Sequence, residues 1–174
     1  MSFRRGMRFA SVGLLAFGLF ALVAADALVA ASKAEEAKKY TEQLKTAKDA
    51  KKKAEALEEL GKLGQIMKSL VTSAVPDIKK SLEDKDATVR RAAALAYGKV
   101  DPDPKEAVPA LVKMLKEDKE ESVKIAAANG LAAMGDKARE AIPDLRAVQK
   151  SEDKKSKLAK AAQDAMRSIN PKKK

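Results

Sequence analysis

Apolar residues recur along this chain at helical spacing, in short segments that repeat. Val89, Ala92, Ala93, Ala96, Tyr97 and Val100 form one stripe, and Val123, Ala126, Ala127, Gly130, Leu131 and Met134 form a second. Both follow the i, i+3, i+4, i+7 pattern of a helix with one buried side. Each is preceded by a shorter helical segment that opens on an apolar-Pro step. Residues 75–82 carry Pro76 in a first turn, where the missing N–H costs little, and the next segment, opening at Ala107-Val108-Pro109, turns Leu111, Met114 and Leu115 inward. Pro76, Pro109 and Pro143 lie 33 and 34 residues apart. A fixed period of this size marks stacked supersecondary units, so the predicted fold class is all-α: an α-α superhelix, or solenoid, of helical hairpins.

The boundaries follow from the polar residues between stripes. Asp86 is placed to cap a helix over residues 87–100, and Asp101-Pro102-Asp103-Pro104 stops it. The last unit opens at Ala141-Ile142-Pro143, and its second helix needs one inserted residue to align Leu158, Ala162, Met166 and Ile169. It ends at Asn170-Pro171, leaving a basic tail (residues 171–174) expected to be disordered. Upstream, Leu57, Leu60 and Leu63 lead to Gly64, read as a residue just past a helix end. Aligning Gly64 with Gly135 puts Leu60 on Leu131 and Leu63 on Met134, which makes residues 38–64 a degenerate first unit, bridged onward by a short helix at 66–72. Ser32 and Glu35 have capping-box spacing and open an Ala/Lys/Glu-rich helical region. The expected organisation is a leader (1–27), a helical region with the degenerate repeat (32–73), three repeats (74–170) and the tail.

The leader reading rests on Arg4, Arg5 and Arg8, followed by an uncharged run over residues 9–25 and small residues at Val23-Ala24-Ala25, Ala25-Asp26-Ala27 and Val29-Ala30-Ala31. That is the layout of a secretory signal peptide, with cleavage preferred after Ala27. The alternative is an uncleaved anchor, because the run is 17 residues long, the short edge of what spans a bilayer. The expected location is therefore periplasmic or secreted, or membrane-anchored through residues 9–25.

Composition narrows the chemistry. The chain has no Cys and no His, which removes disulfides, thiolate nucleophiles, Cys or His metal sites and His-based triads. All four Phe lie in the first twenty residues, so Tyr40 and Tyr97 are the only rings beyond them. That leaves almost nothing on which bases or sugars could stack. Net charge is +11, and Lys outnumbers Arg, which favours solubility or loose attraction to anionic surfaces over bidentate recognition. The cluster Lys48, Lys51, Lys52 and Lys53 reads first as a solvated helix face. The acidic groups before the second helices suit positive helix ends, and they lack the spacing of a calcium loop.

At residues 96–111, Ala-Tyr-Gly-Lys-Val-Asp-Pro-Asp-Pro-Lys-Glu-Ala-Val-Pro-Ala-Leu, the chain resembles the HEAT repeat in its short bacterial form, also seen in the HEAT-like repeats of phycobilisome lyases. Residues 86–94, Asp-Ala-Thr-Val-Arg-Arg-Ala-Ala-Ala, match the start of that repeat's second helix, and residues 120–128 follow with Glu and Lys in the Asp and Arg places. The resemblance implies an Asp–Arg ladder between repeats, here through Asp86 and Arg90. The last unit, with Lys154 and Leu158 at those positions, lacks it. The resemblance also implies a binding module whose concave face is lined by second helices. The outward positions there are Arg90, Arg91, Ala94, Leu95, Lys124, Asn129, Lys160 and Gln163. The expected function is a non-catalytic scaffold that engages another protein in the cell envelope. The alternative is an electrostatic binder of an anionic envelope polymer or membrane surface. Nucleic acid is disfavoured by the leader, and an enzyme like the chromophore lyases by the missing Cys and His. No catalytic residue, cofactor or metal is expected.

Overall fold

The structure, a computed structural model, describes residues 13–100, 102–153 and 156–170, with side chains from Leu28 onward. It divides into two compact units, Met1–Glu35 and Glu36–Lys174. Among the described residues the first holds only the beginning of helix α1 (Gly13–Thr46). The second holds the rest of α1, then α2 (Ala50–Ile66), α3 (Val75–Ser81), α4 (Ala87–Lys99), α5 (Pro104–Glu117), α6 (Glu121–Ala133), α7 (Ile142–Ser151) and α8 (Lys157–Ile169). The described fold is an all-α solenoid of helical hairpins.

Hairpins form because polar caps punctuate the helices. Asp49, Asp86, Asp103 and Ser156 each accept a hydrogen bond from a backbone N–H of the helix they open. Gly135 ends the central hairpin at φ +60°, the left-handed conformation that suits a residue just past a helix. The second helices then stack in sequence, α2 on α4, α4 on α6 and α6 on α8. Their contact surfaces are small residues. A methyl group built on Gly98 would lie 2.6 Å from Cα of Gly130, and one on Gly61 would lie 3.1 Å from Cα of Ala96. Ala92, Ala93, Ala126 and Ala127 fill the space beside them, and Tyr97, Leu111, Leu131 and Leu145 supply larger buried side chains. Methyl-sized contacts let backbones approach closely, and the core gains continuity rather than depth.

Several expectations change. Ser32 lies inside α1 and caps nothing, because the helix runs unbroken past it. Gly64 is buried within α2, packed on Val100 and Val71, and the helix ends at Ile66 with Met67 as its C-cap. The bridging helix is two 3₁₀ turns, Lys68–Leu70 and Thr72–Ala74. Helix α5 starts at Pro104, with Asp103 as its cap, so Pro109 falls inside it, whereas Pro76 and Pro143 do sit in first turns. Met166 is only half-buried, since among the described residues no further hairpin packs on α8. The inward stripes of α4, α5 and α6 are buried throughout. Residues 1–12 and the tail lie outside the described residues, as do the side chains of residues 13–27. Among the described residues no helix is long and apolar enough to cross a membrane.

Candidate functional site

Two sets of ion pairs tie neighbouring hairpins and determine which side chains remain for a partner. On the first helices, Lys45 pairs with Asp77 at 3.6 Å, Lys79 with Glu106 at 2.7 Å and Lys116 with Asp144 at 3.1 Å. They link α1 to α3, α3 to α5 and α5 to α7. These pairs are largely exposed and contribute little each.

The deeper set lies at the turns inside hairpins. Arg90 makes a bidentate pair with Asp118, Nε to Oδ2 at 2.8 Å and Nη2 to Oδ1 at 3.0 Å. Its Nη1 donates to the carbonyls of Asp84 and Lys85. One hairpin earlier, Lys53 donates to Asp84 Oδ2 at 2.8 Å. Asp84 and Asp118 are 34 residues apart and each also accepts a backbone N–H two residues on, from Asp86 and Glu120. The hydrogen bond from Arg90 holds the Asp118 carboxyl below its usual range against the cost of burial, and Asp118 raises Arg90 in return. Burial opposes the fall at Asp84, where the N–H of Asp86 and the Lys53 ammonium prevail.

This corrects the expected ladder. Asp86 is the N-cap of α4, its carboxylate accepting from Thr88 N–H, and the carboxylate that pairs with the Arg90 guanidinium is that of Asp118 instead. The ladder acid stands two residues before the cap. Consequently Arg90, only 8% exposed, is unavailable to a partner. Ala94 is fully buried because the backbone of Gly130 packs against it. Lys124 occupies the position one repeat after Arg90, beside Glu152 in the groove between α6 and the α7–α8 turn, and forms no ion pair with it.

The outward stripe that remains is Arg91 and Leu95 on α4 and Ile125 and Asn129 on α6, of which Asn129 is exposed and the other three are half-buried. Arg91 reaches Glu58 of α2 at 3.7 Å. Ile125 adds to the outward positions expected from sequence. It stands one period after Arg91, as Asn129 does after Leu95, so extending the register would have found it. The stripe therefore has an apolar centre, Leu95 with Ile125, and a polar margin.

Lys160 and Gln163 belong to a different place. They line the groove between α7 and α8, together with Gln149, the cations Lys150 and Arg167 and the carboxylates of Glu152, Asp153 and Asp164. An adjoining cavity of about 620 Å³ adds Ile142, Arg146 and Met166. The two rings are committed elsewhere. Tyr97 is buried, and Tyr40 is half-buried with the Lys39 ammonium 5.5 Å from its ring centre.

Comparison with known proteins agrees with this geometry. Family models described as HEAT repeats and HEAT repeat match residues 37–119 and 107–138. No curated protein matches the chain. The stacked second helices, the ion-pair ladder between hairpins and these matches lead to one assignment: residues 37–138 carry HEAT repeats, within an all-α solenoid of the HEAT type.

Proposed function

We propose that this protein is an exported, non-catalytic scaffold of the cell envelope that engages another protein through the exposed side of its second helices. The observation that carries the reading is the stripe of Leu95, Ile125 and Asn129 on a HEAT solenoid, since HEAT repeats commonly mediate protein–protein interaction. An apolar centre with a polar margin is the composition of a protein contact, and neighbouring hairpins present it as a continuous strip. Export is supported by the basic and apolar pattern of residues 1–27.

The contact is tested with the double variant Leu95→Asp/Ile125→Asp. Both side chains are half-buried, so the variant is first checked for unchanged helical signal and cooperative melting. The expected result is a folded protein that no longer retains its partner in a quantitative pull-down from envelope extract. Full retention by a folded variant would defeat the proposal. Export is tested by intact mass after fractionation: a species beginning near Leu28 in the soluble envelope supports a cleaved leader, and a full-length species confined to membranes supports an anchor.

A second reading, an electrostatic binder of an anionic polymer or membrane surface, is favoured by the net charge of +11. Its mark is steep loss of binding with salt.

A further inference from the structure

We propose that the groove at the C-terminal end of the stack binds an acidic segment of a partner protein, laid where a further hairpin would otherwise pack. This site is separate from the second-helix stripe, and the proposal does not depend on it.

Register shows that the end is built differently from the hairpins before it. Gly98 and Ala94 of α4 are the positions against which Gly130 of α6 packs. One period on, α6 carries Ala128 and Ala132 there. After the inserted residue, α8 carries Gln163 and Arg167. Long polar side chains thus replace the methyl groups that let another apolar helix approach. The groove they border, about 620 Å³, has Ile142 and Met166 among its lining, with Arg146, Gln149, Gln163, Arg167 and Asn170 as its polar groups. A trough between two helices, apolar within and cationic at its margin, fits a helix or extended segment that carries carboxylates beside apolar side chains.

Charge points the same way. Residues 142–174 hold 10 Lys and Arg against 4 Asp and Glu, a net of +6, while residues 36–141 hold 22 against 19, a net of +3. Five of those ten cations, Lys154, Lys155, Lys172, Lys173 and Lys174, lie outside the described residues, so the charge of the groove itself is that of Arg146 and Arg167. The choice of cation is also selective. Beyond residue 35 the chain has five arginines, and Arg90 and Arg91 are engaged internally with Asp118 and Glu58. Arg146 and Arg167 both line this groove. Among the described residues Arg146 makes no ion pair, and Arg167 has a 3.4 Å contact to its helical neighbour Asp164. Planar guanidinium groups suit bidentate capture of carboxylates, and Gln149 and Gln163 add neutral donors. A concave trough fits a flat bilayer poorly, so an acidic polypeptide is preferred to a lipid surface.

The test uses the full chain and a fluorescein-labelled helical peptide with glutamates along one edge and leucines beside them. Its comparator carries glutamine in place of glutamate. The acidic peptide should bind and the glutamine peptide should not. The Arg146→Gln/Arg167→Gln variant should weaken binding about tenfold. The Lys51→Gln/Lys52→Gln variant removes equal charge at the exposed α1–α2 end of the stack and should change binding by less than about twofold. Melting curves confirm that both variants are folded. Equal loss in the two variants would mean diffuse attraction and would overturn the proposal. So would equal binding of the two peptides, or binding to phosphatidylglycerol vesicles without binding to the acidic peptide.

Discussion

The most exacting positions in this fold are residues with almost no side chain. At Gly98 a methyl group would run into the backbone of Gly130, which has no rotamer by which to yield. Gly98→Ala should therefore cost about 3 kcal/mol or more, as overpacking against a rigid neighbour does. Gly135 makes a contrast: its φ is +60°, but nothing lies within 4 Å of an added methyl, so Gly135→Ala should cost only about 1 kcal/mol from the left-handed backbone. Urea midpoints of the two variants compare them directly, and the reverse order would mean that α4 and α6 do not approach as described. Asp118 is the other sensitive residue. Its carboxyl is lowered by Arg90, so the pair's stability is fully present above the ordinary aspartate value near 3.9 and is lost as pH falls through the lowered one. Asp118→Asn should cost about 3 kcal/mol at neutral pH by leaving Arg90 buried without a counter-charge. It should also flatten the acid limb of stability, which denaturation at several pH values would record.

At the scale of helices and hairpins, the ladder is uneven. Lys53–Asp84 and Arg90–Asp118 close the first two rungs, and Lys124 and Glu152 leave the third open. The α7–α8 hairpin also has a neighbour on only one side among the described residues. Stability in a repeat array is shared between neighbours, so amide hydrogen exchange should be slowest in α4 and α6 and measurably faster in α7 and α8. Uniform protection across all four helices would contradict this. Much of this level was legible in advance. The apolar stripes of α4 and α6, the Asp86 cap and the repeat period follow from residue spacing alone. What was not legible came from long-range packing. Nothing local shows that Gly64 is held inside α2 by Val100, or that α5 begins early because Asp103 and Pro104 form a cap and first position. The ladder acids are Asp84 and Asp118, two residues before the expected positions 86 and 120, because Asp86 serves as a helix cap and only the stacked geometry selects between neighbouring acids.

At the largest scale, the described residues offer a partner a strip on α4 and α6 with an apolar centre and a groove between α7 and α8 that holds Arg146 and Arg167. The outward residues were the least legible part of the chain. Helical spacing separates inside from outside but not a side facing solvent from one facing the next hairpin, which is why Arg90, Ala94 and Lys124 were counted as outward and Ile125 was not. The central claim, that the protein works by presenting its second-helix side to a partner, is most directly tested by photo-crosslinking in living cells. A photoreactive residue is placed in turn at position 95, at 129 and, on the first-helix side, at exposed Lys113. The account predicts one discrete adduct of the same mass from positions 95 and 129 and none from 113. Crosslinking from 113 alone, or the same products from all three positions, would contradict it.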